Sequence, residues 1–92
     1  MWLTWRMSRQ AITETIVRRR LGDNVRALRT RALLTAKKAA ERAEMHWRHW
    51  QKIEAGEVNI TLFTLVRVAD ALNVEPGHLL LDPADCPPRA HC

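Results

Sequence analysis

Five neighbouring side chains, Trp47, Arg48, His49, Gln51 and Lys52, stand in the stretch HWRHWQKIEAG. They bring hydrogen-bond donors, positive charge and a flat aromatic face to about two turns of chain. Groups of this kind bind and orient an acidic or hydrogen-bond-accepting partner. They do not assemble a reaction centre: no nucleophile stands with a base, no carboxylates pair for acid–base work, and there is no phosphate loop. Neither enzymatic activity nor a catalytic residue is expected. Metal binding is the other chemistry these residue types raise. His46, His49, His91, Cys86 and Cys92 have suitable donor atoms, but HWRH offers a single i, i+3 pair and both cysteines stand in a Pro-rich end. No metal and no cofactor is expected.

For those donors to face one way, the segment must be a helix with apolar residues behind it. Trp50 and Ile53 lie three apart with Met45 just ahead, a buried stripe opposite Trp47, Arg48, Gln51 and Lys52. Gly56 follows as a stop signal, so the helix covers residues 46–54 and stays short and exposed on one side. Ahead of it Thr35 is a good N-cap, and AKKAAERA has the composition of another short helix, with Ala36, Ala39, Ala40 and Ala43 along one side. A helix offering mainly Ala lets its neighbour come close and needs bulk from the opposing element, which Trp50 supplies. A tight turn over residues 43–45 joins the two.

The flanking segments complete a helical core. Residues 21 to about 31 place Leu21, Val25, Leu28 and Ala32 on one face, with Asn24, Arg26 and Arg31 on the other. Arg29 falls at the edge of the apolar face, where it needs a carboxylate partner. Thr61 caps the strongest pattern in the chain, with Leu62, Leu65, Val66, Val68, Ala69 and Leu72 on a core helix and Asn73 suited to the left-handed position at its end. Pro76 fits the first turn of a last short helix over GHLLL, and residues 82–92 read as an irregular tail. Residues 1–20 read as a basic arm in which Ile12, Ile16 and Val17 recur at helical spacing, Thr13 or Ser8 can cap, and Arg18, Arg19 and Arg20 close the segment. Trp2, Trp5, Arg6 and Arg9 can touch a phosphate backbone or a partner chain; a solvated, charged leader is the plainer alternative. There is no internal repeat, and no period-two alternation indicates a strand.

Ninety-two residues, 47% apolar and 27% charged, allow one small globular core. A chain of this size buries only about two-thirds of its unfolded surface, so a partner subunit can supply part of its stability. The net charge of +5 and pI near 10.2 favour an acidic partner, either nucleic acid or an anionic membrane surface. The excess lies early: residues 1–31 carry eight Arg against Glu14 and Asp23, whereas residues 32–92 carry seven basic and eight acidic side chains. Two cysteines make no disulfide framework, and MWLTWRMSRQ lacks the apolar core of a signal peptide. The longest uncharged run, residues 58–66, is too short to span a bilayer. A soluble, cytoplasmic chain with no membrane partner is expected.

The run LGDNVRALRTRALLTAKKAAERAEMHWRHWQKIEAGEVNITLFTLVRVADALNVEPGHLLL resembles the Cro/CI-like (Xre-type) helix-turn-helix domain of phage repressors and bacterial regulators. VRALR, TAKKAA, QKIEAG, and TLFTLVRVADALNV with the LL pair after it, carry the likeness over residues 21–81. The resemblance implies an all-α, compact, five-helix, lambda-repressor-like domain, preceded by the basic arm and followed by the Pro-rich tail. It implies that the third helix lies in the DNA major groove, with Trp47, Arg48 and Lys52 at base edges and His49 and Gln51 near the backbone or flanking bases. It also implies an ion pair between Arg29 and Glu54. Where the family opens its second helix with a phosphate-gripping Gln this chain has Ala36, and Lys37 or Lys38 is the expected replacement. Glu44 occupies the family's Gly at the helix-turn-helix bend, which requires either a left-handed Glu or a different turn. Leu33 likewise replaces a Gly, His46 stands where Ser or Thr normally caps, and Ala39 with Trp50 exchanges small for large across one core contact.

The expected function is sequence-specific binding of double-stranded DNA by a transcriptional regulator, as a homodimer on a two-fold site, because one short helix contacts few bases. Arg48 is the prime base reader, since a guanidinium can donate two parallel hydrogen bonds to guanine. Lys52 and Gln51 fit base, phosphate or solvent alike. An exposed Trp47 needs a cover, either a thymine methyl or sugar edge, or a protein surface such as the arm or a second copy. The second cover defines a rival: a protein-interaction or antitoxin-like module on the same fold, anchored by Trp47.

Overall fold

Thr13 opens the first helix of the described residues: its hydroxyl accepts the Ile16 amide at 3.3 Å, and α1 (Glu14–Arg31) then runs unbroken for 18 residues. The computed structural model describes residues 13–82. Trp2, Trp5, Arg6, Ser8, Arg9 and Ile12 of the arm, and Cys86, His91 and Cys92 of the tail, lie outside the described residues. The sequence suggests a division at residue 20, yet Arg18, Arg19 and Arg20 are consecutive residues inside α1. Nothing there breaks a helix, because Arg is a good helix former and Val17 and Leu21 stand one turn apart on the same face.

After α1 come α2 (Ala36–Arg42), α3 (Trp47–Glu54), α4 (Leu62–Leu72) and a 3₁₀ helix (Pro76–Leu80); among the described residues there is no strand. The expected fifth α-helix is therefore a tighter turn. The His78 amide bonds the Glu75 carbonyl three residues back at 3.0 Å, Pro76 has no N–H to give, and five residues are too few to establish an α-ladder.

The four α-helices among the described residues end alike. Leu33, Glu44, Gly56 and Asn73 have φ of 60°, 57°, 73° and 58°, and the amide after each reaches back into its helix. Leu34 bonds Arg29 at 3.1 Å, while Met45 bonds Ala40, Glu57 bonds Lys52 and Val74 bonds Ala69, each at 3.0 Å. This is the Schellman closure, which glycine makes freely and which costs a Leu or Glu about 1–2 kcal/mol. The bend between α2 and α3 thus keeps the left-handed geometry with Glu44 in it. Arg67 of α4 ties that residue down, its Nη2 donating to the Glu44 carbonyl at 3.0 Å and to the Glu44 carboxylate at 3.1 Å.

The core forms where the helices face one another. Leu21 and Val25, Ala39 and Ala40, Trp50 and Ile53, then Leu65, Val68, Ala69 and Leu72, and finally Leu79, are buried. Trp50 and Ala39 are both 0% exposed and belong to one core cluster, so both members of the expected small-for-large exchange lie in the core. Three expected core positions lie at the surface. Ala32 is the exposed C-cap of α1. Leu62 and Val66 are 79% and 52% exposed, because Leu65, Val68, Ala69 and Leu72 take the inward face of α4 and leave those two on its flank beside an exposed Phe63.

Two polar details fix how the elements meet. Gly22 is buried where α1 crosses the end of α3, and a Cβ there would stand 2.7 Å from the Ile53 carbonyl oxygen and closer still to that of Glu54. Asn24 donates both hydrogens of its amide across to the 3₁₀ segment, to the Leu79 and Leu81 carbonyls at 2.8 Å each. Asn24→Ala is expected to cost about 1–3 kcal/mol, because two part-buried acceptors lose their donor. A lower urea midpoint with an unchanged slope is the anticipated reading; an unchanged midpoint would show that water replaces the amide freely. No helix among the described residues is long and apolar enough to cross a membrane.

Candidate functional site

The donor-rich helix α3 is closed at its start by His46. The imidazole Nδ1 accepts the Arg48 amide at 3.1 Å, so a ring nitrogen does what a Ser or Thr hydroxyl does at most N-caps. At the other end Glu54 is a hub. Arg29 donates to it twice, from Nε at 2.5 Å and Nη2 at 3.1 Å, and the Trp50 indole N–H donates to the same carboxylate at 2.6 Å. The third arm of the Arg29 guanidinium donates to the Leu34 carbonyl at 2.9 Å, just ahead of α2. Side-chain exposures of 18% for Arg29 and 11% for Glu54 leave this network mostly out of water. Trp50 is accordingly a core residue whose one polar atom is satisfied, a bond that its spacing with Ile53 does not announce.

On the outward side, Arg48, Gln51 and Lys52 are exposed and His49 is half-buried. Lys37, on α2, is brought to the same place. Trp47 is half-buried rather than open, packed on the core's edge, and its cover comes from the chain itself. The His46 ring stacks on it at 5.9 Å and 23°, the Lys37 ammonium lies 5.4 Å from a ring centroid, and the Arg48 guanidinium lies 5.6 Å away. Part of the cover expected from DNA or a partner is thus supplied within the chain, and the indole stays half-buried.

Arg18, Arg20, Arg29, Lys38 and Arg67 each stand within 4 Å of a carboxylate, whereas no carboxylate among the described residues pairs with Lys37, Arg48 or Lys52. Arg19, Arg26 and Arg42 are likewise exposed without such a partner among the described residues, so what marks this face is that its cations stand with Gln51 on and beside one short helix. Unneutralised cations and amide donors along one short exposed helix suit a polyanion with hydrogen-bonding edges. Among the described residues no three metal-ligating side chains converge. Sequence reasoning missed Arg67, Asn24 and Gly22, the residues that hold the turn, the C-terminal segment and the α1–α3 crossing. Only Gly22 carries a signal, as an isolated glycine inside a helical pattern.

The family model described as "Helix-turn-helix domain" matches residues 20–81. No curated protein matches the chain. Among solved structures, the chain is similar to the restriction-modification controller protein C.AhdI from Aeromonas hydrophila, with 27% identity, coverage of 67% of this chain and 94% of that one, and a TM-score of 0.66. It is similar to the hypothetical transcription factor NHTF from Neisseria at 26% identity, covering 80% and 85%, with a TM-score of 0.74. The clp gene regulator ClgR from C. glutamicum shares the fold, at 23% identity, 70% and 83% coverage and a TM-score of 0.66.

Proposed function

This chain belongs to the helix-turn-helix domain family, and from that premise we propose that it is a sequence-specific transcriptional regulator that lays α3 in the major groove of double-stranded DNA. The observation that carries this reading is the outward face of α3, where Arg48, Gln51 and Lys52 are exposed and its cations have no acidic partner among the described residues, with Lys37 alongside. A groove about 12 Å wide admits such a helix. Arg48 reads a guanine edge, Lys52 and Gln51 contact bases or phosphates one turn on, His49 stands toward the backbone, and Lys37 takes the phosphate contact that Ala36 cannot make. The Arg29–Glu54 pair holds α3 in place for this. Two of the similar structures are, by name, a restriction-modification controller protein and a hypothetical transcription factor.

The working unit is a homodimer. One helix of eight residues covers too few bases for useful selectivity. An apolar surface supports this reading: Leu62 lines a groove with Val17, Val58, Ile60 and Leu80, and an exposed Phe63 stands next to it on α4. A two-fold axis through this surface would bury it between two copies. In the rival reading, a protein-interaction module anchored by Trp47, the partner would have to reach a half-buried indole past the Lys37 and Arg48 side chains.

Fluorescence anisotropy against a pool of promoter duplexes at two salt concentrations tests the proposal. Selective binding should weaken steeply with salt, and Arg48→Ala should lose about 1–3 kcal/mol of discrimination at one base pair. Failure to bind any duplex would sink the reading.

A further inference from the structure

We propose that Trp47 is a positioning residue, not a base-contacting one: its indole gathers the Arg48 guanidinium and the Lys37 ammonium and so sets where the base-reading and phosphate-contacting cations stand. This rests on the DNA-reading role just given to α3.

The two cations come from different helices. Lys37 is in the first turn of α2 and Arg48 in the first turn of α3, and both lie within about 6 Å of one ring, the range in which the electron-rich face of an indole attracts a cation. The ring itself is fixed. Trp47 packs against the core and stacks with His46, whose own Nδ1 is bonded to the Arg48 amide. An exposed Arg or Lys otherwise samples many rotamers, and binding has to remove that freedom; a fixed aromatic platform removes part of it beforehand. The platform also couples the two contacts, because a shift of the indole moves both cations together. Glu41 lines the same hollow as Lys37 and Trp47, with its carboxylate 3.7 Å from the Lys38 ammonium, while Glu44 is turned toward Arg67.

The test is a double-mutant cycle on the duplex selected by the wild-type protein, using Trp47→Leu, Trp47→Phe, Arg48→Ala and the Trp47→Leu/Arg48→Ala double variant, each checked for its helical signal and melting. Trp47→Leu is expected to weaken selective binding about fivefold, the size of one partly exposed cation–π contact. Trp47→Phe should fall in between. In the Arg48→Ala background Trp47→Leu should have little further effect beyond the share of Lys37. Full additivity would mean that the indole meets DNA on its own account, and would overturn the proposal.

A second measurement needs no DNA. In the free wild-type protein the Arg48 δ-methylene and Lys37 ε-methylene proton resonances should be shifted by the indole ring current, and should return to ordinary positions in Trp47→Leu. Unshifted resonances in the wild type refute the platform whatever the binding data. Shifted resonances in a protein that binds no duplex would instead remove the DNA-reading role, and the positioning role with it, while leaving the platform as a feature of the fold.

Discussion

Gly22→Ala is expected to destabilise the fold by about 3 kcal/mol, although in most helix interiors the same exchange stabilises by about 0.5–1 kcal/mol. The usual gain comes from the lower conformational entropy of an unfolded chain with Ala, and it applies here too. It is outweighed by contact. The added Cβ would meet the Ile53 carbonyl oxygen at 2.7 Å and the Glu54 carbonyl carbon at 2.9 Å, well inside the separation real Cβ atoms keep. Both neighbours are backbone of α3, so no side chain can rotate out of the way. The helices must part, and parting them loosens the packing of Trp50 and lengthens the Arg29–Glu54 bonds that span the same crossing. In a domain of this size each kcal/mol lowers the melting temperature by about 4–8 °C, so thermal and urea unfolding will both show the loss. A variant as stable as the parent would mean that α1 can slide on α3 at little cost.

Glu54→Ala should cost about 3–5 kcal/mol, a figure that follows from what is left behind rather than from what is removed. The carboxylate accepts from Arg29 Nε and Nη2 and from the Trp50 indole. Without it a guanidinium only 18% exposed keeps a single bond, to the Leu34 carbonyl, and a fully buried indole N–H keeps none of these partners. Glu54→Gln retains an acceptor and should lose less. The contrast is the Lys38–Glu41 pair, with side-chain exposures of 61% and 72%, where Glu41→Ala should change stability by no more than about 1 kcal/mol. Comparable losses at the two sites would show that the Glu54 network is open to water.

The framework was legible in the sequence because spacing and end signals are local. Thr13, Thr35 and Thr61 each cap a helix by accepting an amide three residues on, as their place before apolar-periodic runs implies. Ala39 facing Trp50 could be read as a volume exchange since both lie on recognisable apolar stripes. What escaped depends on relations between helices. Leu62 and Val66 fit a helical stripe as well as Leu65 does, and only the direction from which α1 and the 3₁₀ segment approach α4 decides which flank is covered. Arg67 has no sequence signal at all as the tie for Glu44, since the two are 23 residues apart. Trp47 occupies an outward register position, yet a long indole at the start of a helix can lie back over α2, where Lys37 meets it. Side-chain direction, not register, determines that outcome.

The fastenings of α3 are unevenly distributed along it. Its polar bonds to α1 and the close Gly22 contact fall in its last turn, at Ile53 and Glu54, whereas its first turn is held by apolar packing, the fully buried Trp50 and the half-buried Trp47, together with the His46 cap. The two ends therefore answer to different perturbations. Weakening charged hydrogen bonds acts first on the Glu54 end, and weakening apolar packing, as urea does, acts first on the end that carries Arg48. Eight residues make a rod of about 12 Å, so either loss displaces the whole outward face at once.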